Sequence, residues 1–198
     1  MITQPAPVVP TTTSLQEPTV ETLPRHGLAP TVDFAPLAGA WWVLHTRARN
    51  EKAVASALEK NGVPHYLPLV RLKRTYGGRA VHVSLPLFPG YLFMNGGESE
   101  RYAALRTNRV ANVIAVADQS QFVSELRQII RVVESEHPVD LYPSLREGCR
   151  CRVVSGSLKG IEGVVLRRKN VSRMYIAATV LGQSAVIEID NALLEPAD

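Results

Sequence analysis

The sequence lacks the short motifs by which most enzyme families are recognised. It contains no GxSxG nucleophile turn, no P-loop, no HExxH pair and no GxGxxG after a strand. The five histidines are scattered and none has a cysteine close by in sequence: His26, His45, His65, His82 and His137. We therefore expect a protein that is not an enzyme and that uses neither a cofactor nor a metal.

Long apolar runs are also absent, and cysteine is scarce. No stretch approaches the ~20 apolar residues that a membrane-spanning helix needs, and the N-terminus has no basic region followed by an apolar core. Cys149 and Cys151 are one residue apart, which is a poor spacing for a disulfide, and two thiols are too few for a zinc site. These absences predict a cytoplasmic protein, not bound to membranes, with reduced thiols.

Positive charge is concentrated in one part of the chain. The whole sequence has a net charge of +4, whereas residues 41–85 carry eight Lys or Arg against two Glu, a net charge of +6. Such a concentration suits a polyanionic partner. A solvated basic surface without a ligand is an equally good interpretation of the charge alone.

Residues 1–38 differ in composition from everything that follows. They hold seven of the fourteen prolines, seven threonines and a single aromatic residue, Phe34. Because this composition buries too little apolar surface to offset the entropy of the chain, we predict a disordered N-terminal tail.

Residues 39–137 alternate between strand and helix patterns. AWWVLHTR reads as a strand, and the apolar stripe in residues 53–58 predicts a helix that stops at Gly62. Gly77-Gly78 is the predicted tip of a hairpin. A short helix, a strand and a longer helix follow in ESERYAALRTN, VANVIAVA and SQFVSELRQIIRVVES. The fold class is therefore α+β, an antiparallel sheet flanked by helices.

The last third of the chain predicts a second, smaller domain. Residues 138–146 are predicted to be a linker, because they contain prolines and no apolar periodicity. Residues 147–198 contain short strands separated by glycines or polar turns, which is typical of a small all-β barrel. Many of its residues are β-branched, so we expect a stable barrel that does not refold into helices.

One stretch, PLFPGYLF at residues 86–93, raises a question about function, because Pro89-Gly90 interrupts a strand-like aromatic run. Together with AWWVLHTRARNEKAVASALEKNG and the basic hairpin, it resembles the N-terminal domain of the NusG family of transcription elongation factors. GCRCRVVSGSLKGIEGVVLRRK resembles the KOW motif of SH3-like barrels. The LPLFPGYLF form is similar to RfaH-type paralogues as well as to general NusG. The resemblance covers about residues 41–196.

The resemblance implies a binding surface for RNA polymerase. In the family, the FPGY strand lines an apolar depression that grips the clamp helices of the largest polymerase subunits. Phe88, Tyr91 and Phe93 match these aromatic positions, and rigid aromatics displayed by a kinked strand suit an interface. The alternative is that the rings belong to the interior of the domain.

The resemblance also gives the basic residues a function. A domain on the polymerase clamp lies beside the upstream fork and the non-template DNA strand, where basic side chains would contact phosphates without reading sequence. The predicted nucleic-acid-binding residues are Arg47, Arg49, Lys52, Lys73, Arg74, Arg79 and Arg109.

The GSLKG loop of the predicted barrel is the candidate contact for a second partner. The resemblance implies a ribosomal protein or a termination factor, contacted through Leu158 and Lys159. Family members often have Phe where this chain has Leu158, which weakens the case for those partners. A tight turn in a small barrel explains the glycines of the loop equally well.

Two functions follow from these patterns. The first is a monomeric elongation or antitermination factor that bridges the polymerase clamp and suppresses pausing or termination. The second is an RNA- or ribosome-binding KOW module, for which charge reversal at Arg167, Arg168 and Lys169 would matter and the aromatic residues would not.

Overall fold

The computed structural model describes residues 39–76, 79–135, 137–143, 148–168 and 171–197. The predicted N-terminal tail, residues 1–38, and the predicted hairpin tip, Gly77-Gly78, lie outside the described residues. Within the described ranges, no helix is long and apolar enough to cross a bilayer.

The chain forms twelve strands, three α-helices and two short 3-10 helices within these ranges. In chain order they are β1 (Ala40–Thr46), α1 (Glu51–Lys60), β2 (His65–Tyr66), β3 (Leu69–Tyr76), β4 (Arg79–Pro86), β5 (Tyr91–Gly96), α2 (Glu98–Arg106), β6 (Val110–Ala115), α3 (Gln119–Glu134), β7 (Val139–Pro143), β8 (Cys149–Val153), β9 (Glu162–Arg168), β10 (Val171–Ala178), η1 (Thr179–Leu181), β11 (Gln183–Ile189), η2 (Asn191–Leu193) and β12 (Leu194–Pro196).

The N-terminal domain is built on a four-stranded antiparallel sheet in the order β2-β5-β1-β6. Because successive side chains of a strand point to opposite faces, β1 and β5 supply both sides of the sheet. Val43 and Phe93 lie in the core with α3, whereas Leu44 and Leu92 lie in a separate core with α1 and α2. Strands β3 and β4 form their own two-stranded hairpin.

Local sequence explains where the helices begin. The Glu100 carboxylate accepts a hydrogen bond from the Gly97 N–H at 2.7 Å, which is one half of a capping box at the start of α2. Asp118 caps α3 by accepting a hydrogen bond from the Gln121 N–H at 2.9 Å. That bond stabilises the ionised carboxylate and lowers the pKa of Asp118.

The C-terminal domain is a six-stranded antiparallel sheet in the order β12-β8-β9-β10-β11-β7. The α+β fold class, with a sheet-rich second domain, is thus confirmed. One element differs from the prediction, because β7 lies inside the predicted linker 138–146 and pairs with β11 from Val139↔Ile187 to Pro143↔Gln183. Proline is tolerated there because β7 is the edge strand and Pro143 is its last residue.

Helix α3 joins the two domains. One hydrophobic core continues from the sheet face of the N-terminal domain, through Phe122 and Ile129 of α3, to Ile161 and Met174 of the C-terminal domain. Polar side chains on α3 add hydrogen bonds across the same contact. Glu125 Oε2 accepts a bond from the backbone N–H of Thr179 at 2.8 Å.

Two further bonds extend this contact along the helix. Gln128 Oε1 accepts a hydrogen bond from the Glu162 N–H at 2.7 Å, and the Arg131 guanidinium donates one to the Lys159 carbonyl. Gln128 and Arg131 are three residues apart and therefore lie on one side of the helix. The C-terminal domain is thus held to α3 by both apolar packing and backbone recognition.

Removing the carboxylate of Glu125 is expected to loosen this contact. In Glu125→Ala, the Thr179 N–H loses its charged acceptor, so we expect its hydrogen exchange to accelerate about tenfold. Exchange measured by NMR tests this, with Ser124→Ala, an exposed position on the same helix, as the control. Equal Thr179 exchange in both variants would show that the bond does not stabilise the contact.

Candidate docking surface at the Pro89-Gly90 turn

Pro89 and Gly90 form a tight turn that is tied to the neighbouring strand and helix. Gly90 has φ +85°, a left-handed conformation that favours glycine. Its carbonyl accepts a hydrogen bond from the Thr46 N–H at 2.8 Å, and its own N–H donates to Glu51 Oε1 at 2.7 Å. A Cβ at this position would lie 3.6 Å from His45 Cδ2. The turn therefore places β5 directly beside the end of β1.

The three aromatic residues of the motif fall into two classes. Phe88 and Phe93 are both 0% exposed and meet edge to face, with their ring centroids 6.1 Å apart. Phe93 also packs on Phe122 of α3 at 5.4 Å. Tyr91 is only half-buried. Phe88 and Phe93 thus have the interior role that the sequence left open as the alternative, and Tyr91 is the ring with an accessible side.

Tyr91 has a second ring beside it that the sequence patterns did not single out. His45 pairs with Tyr91 across the β1–β5 ladder, and the two rings stack at 4.9 Å with an interplanar angle of 20°. His45 is also half-buried. The sequence did contain a signal for His45. Side chains alternate between the two faces of a strand, and His45 is the aromatic residue of β1 nearest the end of that strand. We call the pair His45 and Tyr91 the ring platform.

Tyr66 lies on β2, where it pairs with Phe93 of β5. Burial raises the pKa of its phenol far above the ordinary value, and the nearby carboxylate of Glu134 raises that pKa further. A pKa raised by burial is what we expect of a ring inside the core.

Three of the seven predicted nucleic-acid-binding residues lie in two adjoining loops at one end of the sheet. Arg47 and Arg49 are exposed between β1 and α1, and Arg109 is exposed between α2 and β6. The Arg47 N–H donates to the Arg109 carbonyl at 2.8 Å, and Arg109 Nη1 donates to Asn50 Oδ1 at 2.9 Å. These bonds join the two loops into one basic surface.

Backbone geometry and charge both single out these loops. Arg49 has φ +62° and Asn108 has φ +56°, which are uncommon conformations for residues other than glycine. Among the described residues, no carboxylate forms an ion pair with Arg47, Arg49 or Arg109. We call Arg47, Arg49 and Arg109 the basic loop cluster; its charge is available to an external anion.

The other predicted basic residues are placed differently. Lys52 Nζ donates to the Ser84 carbonyl at 2.6 Å, so its ammonium already has a partner within the domain. Arg79 is exposed at the start of β4, on the separate hairpin. The side chains of Lys73 and Arg74 on β3 lie outside the described residues.

The candidate partner loop of the C-terminal domain faces α3. Leu158 is 3% exposed and belongs to the core, while Lys159 is exposed. The Lys159 carbonyl accepts the hydrogen bond from Arg131. In this arrangement Lys159 alone of the two predicted residues presents a side chain to solvent. The side chains of Arg167, Arg168 and Lys169, on which the alternative RNA-binding function depended, lie outside the described residues.

Comparison with known proteins identifies the family. A family model described as "Transcription termination factor nusG" matches residues 39–147, which is more than half of the chain. The chain belongs to the NusG family. It is accordingly a transcription factor, and its role lies in transcription elongation. The match spans the N-terminal domain, with the turn, the ring platform and the basic loop cluster, and ends before β8.

The other comparisons add little to this assignment. A crystal structure titled as conformation B of the MjSpt4:Spt5 complex matches 80% of this chain and 97% of the other, at 13% identity and a TM-score of 0.27. A TM-score that low establishes neither fold nor function. No curated protein is significantly similar to the chain.

The two classes of aromatic residue should separate in a stability measurement. Phe88→Ala removes a fully buried ring and is expected to lower the free energy of unfolding by about 3–5 kcal/mol. Tyr91→Ala removes a half-buried ring, for which we expect a loss of less than about 1.5 kcal/mol. Urea denaturation of both variants checks this, and comparable losses would contradict the interior assignment of Phe88.

Proposed function

We propose that the protein is a non-enzymatic elongation or antitermination factor whose N-terminal domain binds the clamp helices of RNA polymerase through the ring platform. Family membership supports the transcriptional role, and the platform carries the specific proposal. Tyr91 follows a turn that is hydrogen-bonded to Thr46 and Glu51, and its half-buried ring stacks on the half-buried ring of His45 on β1. Rigid aromatic surface of this kind loses little entropy on binding.

The interior rings contribute to the same surface indirectly. Phe88 and Phe93 flank Tyr91 in sequence and are locked in the core with α3. They fix the backbone on both sides of the turn, so that the Tyr91 ring has one defined position. Of the three residues predicted to bind the polymerase, we propose Tyr91 as a direct contact, and Phe88 and Phe93, which are buried, as its support.

A domain bound in this way would act on the polymerase by bridging its cleft. A ligand shifts a conformational equilibrium by its difference in affinity for the two states, so a factor that spans only a closed clamp disfavours opening. A preference of about 1.4 kcal/mol changes the open population about tenfold. Reduced opening would suppress pausing or termination.

The basic loop cluster supports a second contact, with the non-template DNA strand. Its three side chains are exposed and form no ion pair with a described carboxylate. The backbone bond from the Arg47 N–H to the Arg109 carbonyl and the bond from the Arg109 guanidinium to Asn50 hold the two loops together. Contacts of this type neutralise phosphates and do not read bases. The exposed Arg79 would extend the contact along the hairpin.

The C-terminal domain is proposed to recruit a second partner, a ribosomal protein or a termination factor, near Leu158 and Lys159. Because Leu158 is buried and the Lys159 carbonyl is bonded to α3, such recruitment would begin at the exposed Lys159 side chain or require release from α3.

The role of the ring platform is tested by substituting each of its two residues. Tyr91→Ala and His45→Ala are each expected to weaken binding to purified RNA polymerase by about 2 kcal/mol, roughly thirtyfold, because each removes half of a stacked contact. Tyr102→Ala is the matched control, since Tyr102 is 59% exposed on α2 and belongs to neither core cluster. Fluorescence anisotropy with labelled protein gives the dissociation constants. If Tyr91→Ala binds like the wild type while remaining folded, the platform is not the docking surface.

The basic loop cluster is tested by the salt dependence of binding to a single-stranded oligonucleotide. Each phosphate contact contributes about 0.7 to the slope of log K against log salt for single strands. Arg49→Gln and Arg109→Gln are each expected to reduce the slope by about that amount, while Lys60→Gln, at the far end of α1, leaves it unchanged. Equal slopes for all three variants would contradict the proposed contact.

A further inference from the structure

The segment from Ser84 to Gly90 is held at both ends by the first turn of α1. At its start, the Ser84 carbonyl accepts a hydrogen bond from Lys52 Nζ at 2.6 Å. At its end, the Gly90 N–H donates to Glu51 Oε1 at 2.7 Å. Two consecutive residues of one helix therefore bind the two ends of the segment that carries the Pro89-Gly90 turn.

Glu51 is unusual among the acidic residues of this domain because its side chain is inside the protein. Glu51 is 7% exposed, whereas Glu59 on the same helix is exposed. Burying a carboxylate is costly unless it is hydrogen-bonded. Two features compensate that cost, the short bond from the Gly90 N–H and the position of Glu51 in the first turn of α1, where the helix dipole favours a negative charge.

The Pro89-Gly90 turn also determines the position of the ring platform. The Gly90 carbonyl accepts the Thr46 N–H at 2.8 Å and the Thr46 hydroxyl at 3.4 Å. The Gly90 Cα faces the His45 ring. That ring stacks on Tyr91, which follows Gly90 in the chain. A displacement of Gly90 would therefore move the backbone of Tyr91 and remove the surface against which His45 rests.

We propose that Glu51 is a positioning residue for docking, which acts by clamping the Gly90 N–H and so fixing the ring platform. The inference rests on the proposed function, because it assigns Glu51 a role in the binding of RNA polymerase that it performs without touching the polymerase. What the clamp requires of residue 51 is a hydrogen-bond acceptor of the right length, and a negative charge is not essential.

The test is a matched pair of substitutions in the full-length protein. Glu51→Met keeps the length and most of the volume of the side chain but has no oxygen acceptor, whereas Glu51→Gln keeps an oxygen that can accept the Gly90 N–H. Glu59→Met controls for the loss of a carboxylate from α1. Hydrogen exchange of the Gly90 N–H and affinity for purified RNA polymerase core enzyme are measured for each protein.

We expect Glu51→Met to accelerate exchange at Gly90 about tenfold or more and to weaken polymerase binding by about tenfold. Glu51→Gln is expected to stay within about threefold of the wild type in both measurements, since an isosteric neutral acceptor restores the bond. Glu59→Met should match the wild type. Rescue by Gln is a result that loss of the buried charge or of helix stability alone would not give.

The outcomes separate this inference from the proposed function. Faster exchange and weaker binding in Glu51→Met, with rescue by Gln, support the positioning role. Faster exchange with wild-type affinity overturns it and leaves polymerase docking intact. If the wild-type protein itself binds no polymerase, the proposed function fails and the positioning role with it, although the exchange data still report the clamp. If Glu51→Met does not fold, Glu51→Asp, which draws the carboxylate back by one methylene, is held to the same expectations.

Discussion

The pairing of β1 with β5 is the interaction on which the rest of the N-terminal domain depends. Its register, from Ala40↔Gly96 to His45↔Tyr91, decides which side chains enter each of the two cores and which rings meet at the open end of the sheet. Because side chains alternate along a strand, a slip of one residue would exchange the two faces. Neither core would then fit its helices, so packing on both sides enforces the register that creates the ring platform.

This arrangement resolves why an aromatic strand is interrupted by Pro89 and Gly90. A continuous strand would carry its side chains alternately into the two cores and present no ring at the end of the sheet. The turn buries Phe88 on its first side, reverses the chain through a left-handed glycine, and starts β5 with Tyr91 only partly covered. Pro89 and Gly90 thus separate the buried Phe88 from the partly exposed Tyr91, while Phe93 is buried by its packing on Phe122 of α3.

The sequence predicted the helices and strands better than the long-range contacts between them. Strands β1, β3, β4 and β6 and all three helices follow from local periodicity, and the hairpin from its glycines. The burial of Phe93 depends on Phe122 of α3, which is about thirty residues away in the chain, and Phe88 packs on Phe93. Likewise the Glu51–Gly90 bond joins residues 39 positions apart, and no local pattern reports it. Strand β7 was missed because prolines bracket it and its pairing with β11 is also non-local.

Helix α3 packs on both domains, and this constrains the C-terminal domain. Its apolar side completes the core beneath Phe93, and its polar residues bond the Thr179 and Glu162 N–H groups and the Lys159 carbonyl. A partner that covers the buried Leu158 must therefore displace these bonds and the apolar contact, whereas one that contacts only the exposed Lys159 side chain need not. The affinity of such a partner depends on the difference in free energy between its own contacts and the α3 contacts that it displaces. A partner that only replaces the backbone hydrogen bonds therefore binds weakly, and one that also covers Leu158 binds more tightly. Residue 158 thus affects both the packing of the C-terminal domain on α3 and the binding of any external partner. A Leu at this position, where family members often have the larger Phe, therefore changes the balance between the two.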